Sequence, residues 1–376
     1  MSIKKAIILA GGFGTRLQPL TFYTPKCLLT LGEKTVIEHT IDALSEAGIE
    51  EKVIIGNKIF IDLLRGKLNG AKGITYLVED SFHDKGKLGA VGAINFATEE
   101  LPDDDYLIVA ADNFSPKFEF KRLIDEHEKG KASITIALYN LPEKSNVKEF
   151  GVAVIDRTNN IRKFQEKPRE NEAISSLIST GFYAANKKFL KETVPKYCKE
   201  KREKGEKPDN LGEIFEMMLE WGEKVHGFVF DWFWTDIGKS RGFVKGNKYA
   251  IKLATIGKHH RISISKDANV SEGAFIEGPV IIEEGCMVEE GAIIGPFTHL
   301  KTGVLVERDS VVRGATLFDN VMVGMDCKIL NCIIDSRAHI GHDVTIEDFA
   351  IIGRNTKIGN GSFIGKKRLP LKCNIS

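Results

Sequence analysis

Three glycines and an arginine fall close together near the amino terminus, in Leu9-Ala10-Gly11-Gly12-Phe13-Gly14-Thr15-Arg16-Leu17. The run directly follows an apolar stretch, Ala6–Ala10, that reads as a first β-strand. A glycine-rich turn at the carboxyl end of a first strand presents backbone N–H groups to a phosphate with no Cβ in the way. The spacing is not that of a dinucleotide loop, because Leu17 stands where the last glycine is required. It is not a P-loop either, since no Gly-Lys-Ser/Thr follows. Arg16 ends the loop, and Lys26 follows it in Thr24-Pro25-Lys26. A guanidinium and an ammonium placed there can neutralise a polyphosphate and stabilise charge moving onto a leaving group.

Such a loop needs a sheet to hold it. Short β-branched runs alternate with helical patterns over the first 250 residues or so, which predicts an α/β domain with a mixed, mostly parallel sheet. Strands are expected at Ala6–Ala10, Lys52–Gly56, Ile74–Val78, Tyr106–Ala110, Ser133–Leu138, Gly151–Ile155, Ile161–Gln165, Thr180–Ala184 and Val225–Phe230. Over Thr35–Ala47, residues Val36, Ile37, Thr40, Ile41 and Leu44 make one face of a helix. Lys239–Leu253 reads as a closing helix, and Ile256–His260 as a linker.

Beyond the linker the period changes. From Ile264 an apolar residue recurs every six positions, through Val270, Ile276, Ile282, Val288, Ile294, Leu300, Val306 and Val312 to Phe318. The register then slips through Val323 and Ile329 and resumes at Ile334, Ile340, Ile346, Ile352, Ile358 and Ile364. Six fits neither a helix nor a flat strand. It fits a parallel β-helix in which each hexapeptide is one face and three faces make a coil of about 18 residues. The expected domains are therefore 1–255 and 262–370. The 36 glycines, somewhat more than the usual share, are expected to serve the phosphate loop and the tight corners of the coil.

Composition removes several functions. Lys and Arg (53) balance Asp and Glu (52), and no basic stripe interleaved with aromatics is present, so nucleic acid is not an expected partner. No apolar run is long enough to span a bilayer, and the first strand begins too early to leave room for a signal peptide. Six cysteines without a CxxC pair read as reduced, structural thiols in a cytoplasmic protein.

The run GGFGTRLQPLTFYTPKCLL closely resembles the signature of the sugar-1-phosphate nucleotidylyltransferases, the nucleotide-sugar pyrophosphorylases. Val109-Ala110-Ala111-Asp112-Asn113 is similar to that family's first metal segment, and Trp234-Thr235-Asp236-Ile237-Gly238 to its second. Glu149–Val152, Phe164–Pro168 and Ser179–Tyr183 resemble its sugar-phosphate segments. Members with a C-terminal left-handed β-helix exist, so the resemblance covers nearly the whole chain. It implies a Rossmann-like domain that joins a nucleoside triphosphate to a sugar 1-phosphate and releases pyrophosphate. Arg16 and Lys26 would be catalytic. Leu9, Ala10, Gly11, Gly12, Gly14, Thr15, Glu79 and Gly89 would bind the nucleotide. Asn113, Gly151, Glu166, Lys167, Thr180 and Gly181 would bind the sugar phosphate, and Asp112 and Asp236 would hold Mg²⁺. The nucleophile is already anionic and needs no general base, which suits the lack of histidine in these motifs.

The resemblance points first to glucose 1-phosphate with dTTP or UTP. Uridylyl- and thymidylyltransferases commonly carry Gln near Glu79, however, and mannose-1-phosphate guanylyltransferase is the alternative. An acyltransferase in the β-helix, with His299, His339 or His342 as base, is a second alternative. A non-catalytic paralogue is a third, opposed by the intact Arg16, Lys26, Asp112, Lys167 and Asp236. Hexapeptide coils leave open ends and flat faces, so a homo-oligomer built through the β-helix is expected.

Overall fold

The first apolar run becomes the central strand β1 (Lys5–Leu9), flanked on both sides by parallel neighbours. That position explains why Ala6, Ile7 and Ile8 are all fully buried. The computed structural model describes residues 3–142 and 144–375. The other strands of this sheet are β2 (Glu51–Asn57), β3 (Ile74–Glu79), β4 (Tyr106–Ala110), β5 (Ile134–Asn140), β6 (Gly151–Ile155), β7 (Ile161–Glu166), β8 (Leu177–Ala185) and β9 (Val225–Phe230). Among the described residues they form one mixed nine-stranded sheet in the order β7-β6-β8-β4-β1-β2-β3, with β5 on β8 and β9 on β5. The chain leaves β1 towards β2 and β3, then crosses back to β4 on the other side of β1. That reversal of strand order falls at the carboxyl ends of β1 and β4, the position at which open α/β sheets bind ligands.

Helices accompany this sheet: α1 (Val36–Glu46), α2 (Ile61–Lys67), α3 (Ala90–Glu100), α4 (Phe120–Gly130), α5 (Val194–Glu203) and α6 (Leu211–Glu220). Phe215 and Met218 of α6 are buried in one core with Phe164, Tyr183, Ile134, Ile136 and Leu138.

Two compact units result. Among the described residues, one holds 3–13 and 37–234; the other holds 14–36 and 235–375. Contacts thus divide the chain differently from its periodicity, which separates 1–255 from 262–370. Among the described residues, no helix is long and apolar enough to cross a membrane.

The second unit contains a left-handed parallel β-helix whose short strands, among the described residues, form three sheets of seven, seven and six. Helix α7 (Ser240–Ala254) packs with it, Asn247 Nδ2 donating to Thr316 Oγ1 at 2.6 Å and Lys248 Nζ to Asn331 Oδ1 at 2.6 Å. The interior is a stack of aliphatics running from Val280 to Leu369, with smaller alanines and cysteines set among them. Two expected members of the stack differ. Ile264, on the first rung with no coil beneath it, is 41% exposed. Leu317, not Phe318, fills the core, stacking on Leu300 and Ile334. The coil repeat shortens by one residue there, because the corner between Val312 and Leu317 is tighter than those before it. Cys286, Cys327 and Cys332 serve as small core residues, and burial pushes all three thiols up, Cys286 to about 11.

Of the histidines considered as bases, His299 is fully buried, its Nε2 donating to Glu283 at 2.7 Å. His342 Nδ1 accepts from the Met325 N–H at 3.0 Å, which ties down a turn, and His339 is exposed on an outward position.

Candidate active site

In the first unit, the glycine loop leaves β1 with its path set by neighbouring strands. Ala10 N–H donates to the Ile55 carbonyl (2.8 Å), and the Leu9 carbonyl accepts from Ala111 N–H (3.0 Å). Fully buried Asn57, at the end of β2, donates through Nδ2 to the Gly11 carbonyl (3.1 Å) and accepts from Phe60 N–H (3.0 Å). The Gly11 backbone lies against the buried Glu79 carboxylate, so close that a Cβ would sit 2.9 Å from Oε2. Glu79 also accepts from Leu88 N–H, which holds the segment leading to Gly89. Gly89 has φ +82° and abuts Asp209, so no side chain fits there.

Asp112 and Asn113 follow the end of β4 after one intervening residue, and Asn113 Nδ2 donates to Asp112 Oδ1 at 3.2 Å. Register carries the segments expected to bind the sugar phosphate to the same end of the sheet: Phe182 pairs with Val109, Ile178 with Val152 and Glu166 with Gly151. Gly181, at φ +82°, leaves room for Asn113, whose Nδ2 would lie 2.6 Å from a Cβ. Thr180 is buried and its hydroxyl donates to the Ala137 carbonyl (2.9 Å), so its side chain is committed to the fold. Glu166 pairs with Lys167 at 3.0 Å, and a Cβ on Gly151 would stand 2.8 Å from Glu166 Oε2. Lys167 adopts φ +44°, an uncommon conformation for a side-chain-bearing residue, stabilised by its N–H bond to the Phe150 carbonyl (3.1 Å). Burial, with the charges of Glu166, Glu213 and Glu220, raises the Glu216 carboxyl, although the Glu166 N–H donates to it at 2.8 Å. Burial, with the charges of Glu166 and Asp112, pushes the Tyr183 phenol well above its ordinary range; it stays a neutral hydroxyl 3.1 Å from Ser179 Oγ.

In the second unit, Gly14 takes φ +65° and Thr21 Oγ1 donates to its carbonyl (2.8 Å). A short turn, Thr15–Leu17, carries Arg16, whose guanidinium is 4.0 Å from Asp236. Gly238 N–H donates to Asp236 Oδ1 at 2.6 Å, and a Cβ on Gly238 would sit 2.9 Å from both Arg16 and Asp236. Lys26 opens the turn Lys26–Leu28 and is half-buried.

Among the described residues no cluster of three metal-ligating side chains exists. A hard divalent ion such as Mg²⁺ uses one or two carboxylates and fills the rest of its shell with waters and substrate phosphates, and a carboxylate of either Asp112 or Asp236 has the oxygen-donor chemistry such an ion takes. Asn57, Gly212, Glu216 and Arg368 are functional candidates that motif reading missed. Asn57 carries a signal, as a polar residue ending an apolar strand; Arg368 carries none.

The nucleotidyl transferase family matches residues 5–252, and the GMPPB C-terminal domain matches 276–373. A probable mannose-1-phosphate guanylyltransferase 3 from Oryza sativa subsp. japonica is 28% identical over 95% of this chain and 92% of its own length. A mannose-1-phosphate guanyltransferase from Candida albicans is 28% identical over 98% and 96%. A crystal structure from Bacillus anthracis, assigned as a glucose-1-phosphate thymidylyltransferase, matches with a TM-score of 0.56 and 27% identity, covering 65% of this chain and 94% of that one. The chain belongs to the nucleotidyl transferase family and is a sugar-1-phosphate nucleotidyltransferase with a C-terminal domain of the GMPPB kind.

Proposed function

We propose that the chain transfers a guanylyl group from GTP to mannose 1-phosphate, releasing pyrophosphate. The observation that carries the base choice is the buried Glu79 carboxylate beside the Gly11 backbone. An ionised carboxylate only accepts hydrogen bonds. Guanine presents adjacent N1–H and N2–H donors, whereas uracil and thymine flank a single N–H with carbonyl oxygens that a carboxylate repels. The near-full-length guanylyltransferase relatives support the same choice over the glucose 1-phosphate reading. That second reading keeps the support of the thymidylyltransferase-like crystal structure.

In the proposed reaction the sugar-phosphate oxygen attacks the α-phosphorus and the bond to pyrophosphate breaks. Lys167 and Glu166 hold the sugar phosphate, and the Gly11–Gly14 amides and Arg16 hold the triphosphate, with Lys26 nearby. Arg16 stabilises the charge gathering on pyrophosphate. Asp112 and Asp236 would hold Mg²⁺, which supplies charge neutralisation at the phosphates. Product analysis over GTP, dTTP and UTP, each with mannose and glucose 1-phosphates, tests the reading. Preferred turnover of dTTP or UTP with glucose 1-phosphate would sink it.

The free cysteines suit a reducing, cytoplasmic setting. The exposed Phe275, Met287, Met322 and Phe363 on outward β-helix positions support a homo-oligomer through this unit. Light scattering that gives a monomer mass would remove that part.

A further inference from the structure

The last coil of the β-helix reaches the arginine loop. Arg368 Nη1 donates to the Arg16 carbonyl at 2.9 Å, 352 residues away in sequence, and lies 3.5 Å from the Thr15 carbonyl. Its backbone is fixed by pairing Arg368 with Ile351 and Leu369 with Ile352, and Leu369 is buried in the core stack. The same segment is tethered again one coil away, where Arg354 lies 5.9 Å over the Tyr23 ring and 3.6 Å from Asp335.

The turn that carries Arg16 is only three residues long. The Gly14 carbonyl just before it is held by Thr21 and Leu17, and the Thr15 carbonyl accepts from Gln18 N–H. Arg368 adds the constraint at the Arg16 carbonyl itself. A cation at that carbonyl fixes the orientation of the peptide plane from which the Arg16 side chain departs, while Asp236 faces the guanidinium at the other end.

We propose that Arg368 is a positioning residue for nucleotidyl transfer: the final coil of the β-helix aims Arg16 at the leaving phosphates. The proposal rests on the reading of Arg16 as a triphosphate contact. Misplacing a charge-stabilising group by about 1 Å can cost on the order of 100-fold in rate, and loss of one of several constraints is expected to cost about tenfold.

The test is steady-state kinetics of the full-length chain with its preferred substrate pair. The set is wild type, Arg368→Ala, Arg368→Lys, Arg16→Ala, Arg16→Lys and the double variant Arg16→Lys/Arg368→Ala. Arg368→Ala should lower kcat by about tenfold, leave the KM for the sugar phosphate unchanged and keep the wild-type melting temperature, since Arg368 is exposed. Arg368→Lys should restore most of the rate. In the Arg16→Lys background, Arg368→Ala should cost less than about twofold, because both changes act on one group. A wild-type rate for Arg368→Ala, or its full effect persisting in the Arg16→Lys background, overturns the proposal while leaving the Arg16 reading intact. Wild-type rates for both Arg16→Lys and Arg16→Ala overturn the Arg16 reading itself, and the proposal with it.

Discussion

Gly212→Ala separates stability from substrate binding at one atom. Gly212 lies in the first turn of α6, its N–H bonded to the Asn210 side chain at 2.9 Å, and a methyl there would overlap the Glu166 carboxylate. On helix propensity alone, the change stabilises by up to about 1 kcal/mol. Glu166 must swing away, breaking its 3.0 Å pair with Lys167. That pair contributes little by itself, because Lys167 is more than half exposed. The larger loss is the bond that Glu166 is proposed to make to the sugar; a charge-assisted hydrogen bond contributes about 1.5–3 kcal/mol, or roughly 10- to 150-fold. The expected result is a near-wild-type melting temperature and nucleotide KM, with kcat/KM for the sugar phosphate lower by at least about tenfold. Gly66→Ala in α2, where a Cβ meets open space, is the control and should leave the kinetics unchanged. The assay is pyrophosphate release against each substrate in turn, beside thermal melts. Wild-type kcat/KM for the sugar phosphate in Gly212→Ala would refute the placement of Glu166 at the sugar.

Three further outcomes are expected. Glu79→Gln supplies a donor as well as an acceptor, so it should shift turnover from GTP towards UTP or dTTP, measured by product ratio under competition. Leu317→Ala should destabilise by about 2–5 kcal/mol and Phe318→Ala by less than about 1 kcal/mol in denaturant unfolding, because only Leu317 lies in the core stack. Acid should weaken the second unit through Glu283 and His299. Burial opposes ionisation of Glu283, but His299, Lys301 and Thr302 outweigh it and bring the carboxyl from 4.5 to about 2. Burial lowers His299 from 6.5, against the pull of Glu283. Both groups bind protons more readily when unfolded, so stability should fall as pH drops below about 6.5 and again below about 4.5. Thermal melts from about pH 7 to 3 should show a shallower fall in His299→Gln, and an unchanged fall would count against the pair.

Much of the architecture is legible because its causes are local. Central strands such as Tyr106–Ala110 are buried on both faces and so read as unbroken apolar runs. The hexapeptide period is visible because every coil must put an aliphatic inward. Counting by sixes places the slip one residue late because Leu317 and Phe318 are both apolar. The tight corner before them, rather than their chemistry, decides which turns inward. The motif residues are legible at the carboxyl ends of strands, where a sheet's topology makes its crevice. Thr180 shows the limit: a hydroxyl in a matching motif commits its proton to the Ala137 carbonyl.

What stays hidden is long-range partnership. Gly14–Val36 runs on from the glycine loop without any break in composition, yet it divides with the β-helix. The cause lies in what that segment can bond. Gly32 N–H donates to Asn247 of α7 at 2.7 Å, Tyr23 lies under Arg354, and the Arg16 carbonyl meets Arg368. Asn247 belongs to a helix outside the repeat, and the two arginines point outward from coils whose period constrains only the inward residue. No pattern marks any of the three in advance. A β-helix whose interior is dictated by repetition is thus free to vary its outer face, and it is on that face that the arginine loop finds its support.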